Sequence, residues 1–261
     1  MPRPATGQVL IPRPGRRVID RRAWRCLERC PRKLQLDEIP LPVPVEEWIE
    51  GPLDIRFGFT DLSHLGPDIL GAAFVTDREI LIDERVVQHE GRFRFTCAHE
   101  LGHLILHRGA QSVFHEIGAI DPYASPNRYE RHADRFAAAF LMPVPLVEGE
   151  LIRILDARAL KRGKAVVQLM QPTLESEWLW RKTILPEITR RFAVSLSAAI
   201  HRFNDLQPNL DQSWPLLPRE LVDVLLKPPV DSRRFDGIST ENGVVVDHDL
   251  FDSKKNQTSV V

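Results

Sequence analysis

The run Arg92-Phe93-Arg94-Phe95-Thr96-Cys97-Ala98-His99-Glu100-Leu101-Gly102-His103-Leu104-Ile105-Leu106-His107 limits what this chain can become more than any other stretch. It contains His-Glu-x-x-His, and on a helix of 3.6 residues per turn His99 and His103 project one above the other on one face. Two imidazoles so placed hold one zinc ion (Zn2+). Glu100, beside the first of them, can aim its carboxylate at a water on the metal, which is what a general base must do. The pattern implies metal-assisted peptide hydrolysis. The competing reading is coincidence on a solvated helix face, since a chain with nine histidines will sometimes set two four apart. The flanks oppose it. Phe95, Ala98, Leu101, Gly102, Ile105 and Leu106 are apolar, so the helix has little solvent face and belongs in a core. Gly102 costs about 1 kcal/mol of helix propensity relative to Ala, which predicts close approach of a neighbouring element. Arg108 and Gly109 then supply a helix stop.

A catalytic zinc usually takes three protein ligands, so a third is needed. Glu130 is the candidate. Residues 125–143 read as a helix opened by a cap residue with Pro126 near its start and closed before Pro143. Glu130, Asp134, Ala137 and Leu141 share one face of it. Glu130 there can reach the metal, and Asp134 one turn on can accept the outer N–H of a ligand histidine, fixing its tautomer. The alternatives are that Glu130 closes a capping box from Asn127 and that Asp134 pairs with Arg131 or Arg135. His107 does not fit as a third ligand, because a metzincin pattern would need Gly at the position of Leu106; a helix-end role is expected instead. Tyr123 and Tyr129, the only tyrosines, are read as packing residues, although either can polarise a carbonyl.

These residues resemble the ImmA/IrrE-type metallopeptidases. The match runs Arg94-Phe95-Thr96-x-Ala98-His99-Glu100-Leu101-Gly102-His103-Leu104-Ile105-Leu106-His107. It resumes at Glu130-x-x-Ala133-Asp134-x-Phe136-Ala137-x-x-Phe140-Leu141-Met142-Pro143. The resemblance covers roughly residues 40 to 205. It implies zinc at His99, His103 and Glu130 with Glu100 as catalytic base; carboxylate-containing sites also accept manganese or cobalt. It further implies an α+β minimal zincin (gluzincin-like) domain with an active-site helix pair. The substrate it implies is a helix-turn-helix repressor or antitoxin, cut under stress or mobile-element induction. The position before Ala133, often Glu in that family, is His132 here and is not counted as a ligand.

Upstream, Val45–Glu50 reads as a short helix stopped by Gly51-Pro52. Strand-like runs follow at 54–62, 70–75 and 79–83, with a polar turn at 76–78, and suggest a small antiparallel sheet. An edge strand of it can pair with an extended peptide. Downstream, helices are expected over 146–160, roughly 175–183 and 187–203. Ile188 to Phe203 has the cadence of a helix-turn-helix broken at Val194-Ser195; a packing role as a helical cap is preferred to DNA reading.

The net charge of −1 argues against wholesale nucleic-acid binding, yet residues 1–33 hold ten Lys/Arg against Asp20 and Glu28. Such a segment attracts phosphate or an acidic partner. The expected organisation is a basic, flexible arm over 1–34, a zincin-like core over 35–145, a helical cap over 146–206 and a mobile Pro/Asp-rich tail over 207–261 with one strand at 244–246. A short amphipathic helix over 17–30 is the alternative for the arm. Cys26, Cys30 and Cys97 are sparse and odd in number, and no secretory apolar segment opens the chain, so reduced thiols in a cytoplasmic protein are expected. Cys26 and Cys30 are assigned to a helix packing face. The apolar run 136–147 is broken by Pro143 and Pro145 and is too short to span a bilayer. The competing function class is a regulatory DNA- or protein-binding protein with a structural or inactive zinc site, contacting DNA through the arm or residues 187–203. Glu100 argues against it, because a structural site has no use for a base.

Overall fold

The structure is a computed structural model that describes residues 14–108, 113–117, 128–207 and 215–226. The β-rich runs form strands β1 (Arg56–Thr60), β2 (Ile69–Phe74) and β3 (Glu79–Asp83). A fourth strand, β4 (Val113–Ile117), comes later in the chain. Their order is β1-β3-β2-β4, with β2 antiparallel to both β3 and β4 and β1 parallel to β3. The sheet is therefore mixed and not the antiparallel one expected: the polar turn at 76–78 does join β2 and β3 antiparallel, but β1 runs parallel to β3. The reason lies in the connection from β1 to β2, which is too long for a hairpin turn and leaves a slot that β3 fills. That connection is fastened to the end of β3: the Leu62 N–H donates to Asp83 Oδ2 at 2.8 Å, and Arg85 donates to Pro67 O at 2.6 Å and Ile69 O at 3.0 Å.

Helix α1 (Arg16–Leu34) opens the described chain, and α2 (Val45–Glu50) precedes the sheet. Helix α3 (Glu90–Leu106) lies on the sheet and α4 (Arg128–Leu141) packs on α3. Gly102 is what lets these two helices meet. A Cβ there would stand 3.2 Å from both Ala133 Cα and Phe136 Cβ, tighter than ordinary contact, so the close approach expected beside the site is made by α4. After α4 come α5 (Val144–Ala157), α6 (Arg162–Leu169) and α7 (Leu174–Leu179), which runs through a π turn at Trp180–Ile184 into α8 (Leu185–Phe192). Helix α9 (Leu196–Leu206) follows a break in which Ala193 takes φ 49° and Ser195 Oγ accepts the Ala198 N–H at 3.1 Å. Ile188, Phe192, Ala199 and Phe203 of this pair are buried.

Two expectations are corrected. Residues 16–34 are not a flexible arm: Ile19, Ala23, Cys26, Leu27 and Cys30 recur at helical spacing and bury one face of α1, which packs against α4. Seven arginines interspersed among those positions disguise that stripe. Burial pushes the Cys26 and Cys30 thiols up to about 12, which makes them inert packing groups. The segment after residue 206 is likewise not all tail, because α10 (Arg219–Leu226) buries Leu221 and Leu225, with Leu217 just before it. One hydrophobic core joins α1, the sheet and α3 through α10, so the helical cap is continuous with the zincin-like core. The strand expected at 244–246 and the tail beyond 226 lie outside the described residues. No described helix is long and apolar enough to cross a membrane.

Candidate metal centre

His99 and His103 are both buried, on the side of α3 that α4 covers. Their Nε2 atoms lie 3.0 Å apart. Glu130 of α4 brings Oε2 to 3.2 Å from His99 Nε2 and 3.6 Å from His103 Nε2. A tetrahedral ion with bonds near 2.0–2.1 Å needs donor-to-donor edges of about 3.3 Å, so these three atoms are placed to hold one metal ion. Two imidazoles and a carboxylate suit zinc, and also manganese or cobalt. Burial raises the Glu130 carboxyl, but the close side-chain contacts with His103 and His99 outweigh it and carry it down to about 2, in keeping with a carboxylate ligand. Burial lowers His103 and favours the neutral imidazole that a metal requires.

The outer nitrogens are held differently. His99 Nδ1 lies 2.9 Å from Asp134 Oδ1, the contact expected of Asp134, while Arg135 turns instead to Asp205 at 2.8 Å. Because Asp134 is an acceptor, Nδ1 carries the proton and Nε2 presents its lone pair inward. His103 Nδ1 lies 3.0 Å from His107 Nδ1. If His103 Nε2 is to face a metal, Nδ1 must donate to His107, which is then neutral with its proton on Nε2. Burial, and after it the neighbouring His103 and His132, push His107 down to about 3, in keeping with that state. His107 is thus both the residue that caps α3 and the partner of a candidate ligand. Its ring packs against Phe114 at 5.3 Å and Tyr129 at 4.9 Å. The i, i+4 spacing of 99, 103 and 107 carried this signal, but spacing alone does not separate a ligand from the partner of one.

Glu100 is fully buried between α3 and β2, where Gly71 makes room for it: a Cβ at Gly71 would stand 2.7 Å from Glu100 Oε1. Gly71 was not legible as a site residue, although a glycine inside a strand often marks such an approach. Phe114 of β4 stacks on His103 with centroids 4.3 Å apart, so a strand that follows α3 in sequence, and not only the three that precede it, borders the centre. Tyr129 packs edge-on to Phe114 and its hydroxyl accepts from Arg128 at 2.7 Å. The His132 ring lies 5.8 Å from that of His107 and outside the donor trio. Tyr123 and the Asn127 cap lie outside the described residues.

No curated protein matches the chain. The profile of the peptidase M78 family, described as the IrrE N-terminal-like domain, matches residues 56–204. That span opens at β1, contains α3 and α4 with all three donor residues, and closes in α9. With more than half of its length matched, the chain belongs to the peptidase M78 family of IrrE N-terminal-like domains.

Proposed function

We propose that this protein is a zinc-dependent endopeptidase of the cytoplasm whose substrate is a helix-turn-helix repressor or antitoxin, cut in response to stress or mobile-element induction. The observation that carries the reading is the convergence of His99, His103 and Glu130 within a peptidase-family domain, with Glu100 adjacent in the chain. The substrate class rests on the resemblance of the two motifs to ImmA/IrrE-type enzymes. His99, His103 and Glu130 would hold the zinc, which when bound would supply Lewis acidity toward a water and the peptide carbonyl. Glu100 accepts the proton of the attacking water and passes it to the departing amine. Asp134 and His107 keep the two imidazoles turned with Nε2 inward. Strand β4 ends the sheet beside His103, so an extended substrate segment adding to its outer edge lies along the centre.

Elemental analysis of the purified protein should find close to one zinc per chain, lost in His99→Ala and in Glu130→Ala; metal content unchanged in both variants sinks the site. Glu100→Gln should keep zinc and lose cleavage by several orders of magnitude. The substrate assay incubates the protein with the product of the adjacent reading frame and maps fragments by mass spectrometry. Cleavage retained by Glu100→Gln would make the enzyme reading wrong. Zinc bound with no neighbour cleaved would favour a regulatory protein with an inactive centre.

A further inference from the structure

The apolar face of α1 is spent on the core, and what it turns outward is basic. Residues 16–34 hold seven Arg and one Lys against Asp20 and Glu28, a net of +6 in a chain whose total is −1. Both acids are engaged: Asp20 accepts from the buried Arg202 at 2.7 Å, and Glu28 lies 4.0 Å from Arg32. At 100° per residue, Arg17, Arg21, Arg22, Arg25, Arg29 and Arg32 fall in an arc of about 140°, opposite the buried stripe. All six are exposed. Arg17 has Glu220 at 3.5 Å, whereas Arg21, Arg22, Arg25 and Arg29 form no ion pair among the described residues. Like charges at helical i, i+4 spacing repel one another, so this unpaired row carries a repulsion that a bound polyanion would relieve.

We propose that the outer face of α1 is a docking surface for the phosphate backbone of duplex DNA. The arc from Arg17 to Arg32 extends about 22 Å along the helix axis, against a duplex that presents one charge per about 1.7 Å. Guanidinium forks match phosphate oxygens in pairs. The remainder of the chain is net negative, which directs a polyanion to this face and away from the others. An anionic membrane is the poorer occupant, because a surface-lying helix inserts an apolar face, and the one large apolar side chain exposed within this arc is Val18. The contact reads no bases and is independent of the metal centre.

The test titrates the full chain against a short labelled DNA duplex by fluorescence anisotropy over a salt series. The wild type should bind at low salt without sequence preference, with affinity falling linearly in log salt. Charge reversal at three exposed positions, Arg21→Glu with Arg25→Glu and Arg29→Glu, leaves the buried face intact. It should weaken binding about tenfold or more and reduce the salt slope by about three. If that variant fails to fold by circular dichroism, the same three positions changed to Gln make the measurement, with the same direction expected. The proposal is overturned by no duplex binding at low salt, by binding unchanged in the folded variant, or by binding lost on changing Arg190 and Arg191 of α8 instead. Binding to phosphatidylserine vesicles but not to the duplex would also overturn it, giving the face to a membrane.

Discussion

A Cβ at Gly71 would stand 2.7 Å from Glu100 Oε1 and 2.8 Å from Thr96 Cγ2, closer than real Cβ atoms come. Glu100 is buried against that strand and has no room to retreat into solvent, so alanine must shift the carboxylate or the helix that carries it. Gly71→Ala is expected to lower kcat/KM by about tenfold to a hundredfold, the scale of an ångström-sized misplacement, while zinc stays bound. Steady-state kinetics beside elemental analysis checks this; loss of zinc with activity would locate the damage in α3 as a whole. The two candidate ligand histidines also differ at this scale. His99 leans on the Asp134 carboxylate, and His103 on the buried neutral ring of His107. Their identity as a pair followed from spacing four, but their partners came from a different helix in one case and the same helix in the other.

Among the elements, the end of β3 organises the sheet. Asp83 is buried and accepts from the Arg85 side chain at 2.6 Å, the Arg85 N–H at 2.9 Å and the Leu62 N–H at 2.8 Å. The Arg85 side-chain hydrogen bond, opposed by burial and joined by the two backbone N–H groups, holds the carboxyl down to about 2. The folded value lies below the ordinary one, so this stabilisation is complete above the ordinary carboxylate range and is lost as pH falls from 3.8 toward about 2. Asp83→Asn should cost about 1–3 kcal/mol at neutral pH, read from urea midpoints, and the gap to wild type should close across that acid window. A gap independent of pH would mean that Asp83 acts through shape alone. The parallel pairing of β1 with β3 depends on this corner, because the β1–β2 connection must be held across the end of β3 for β3 to take the middle position.

For the whole molecule, α1 is a structural member and not an appendage. It packs against α4, the helix that carries Glu130, and is tied further by Arg202 to Asp20 and by Arg16 to the Asp205 carbonyl at 2.7 Å. Burying a large aliphatic side chain contributes about 1.5–3 kcal/mol, and a domain's net stability is only about 5–15 kcal/mol. Removing residues 1–34 takes away Ile19 and Leu27 with Ala23, Cys26 and Cys30. The truncated chain is therefore expected to aggregate or to melt far below the full one and to lose its zinc, as soluble yield, thermal denaturation and metal content would report. A soluble, zinc-bearing truncation would return the segment to the status of an arm.

What the sequence determined by itself is whatever backbone geometry imposes locally. Residues four apart on a helix must share a face, so His99 and His103, and Glu130 with Asp134, were legible as pairs. Gly51-Pro52 must end α2, and Pro143 must follow the end of α4. What the tertiary structure alone decided depends on residues distant in the chain. Strand neighbours are chosen by hydrogen bonds between segments, so the mixed order and the place of β4 beside His103 had no local signal. An apolar stripe among arginines becomes a helix only when α4 is there to cover it, and Gly71 matters only because Glu100 arrives opposite. Packing is a property of pairs, and a single chain written in order does not state which pairs will form.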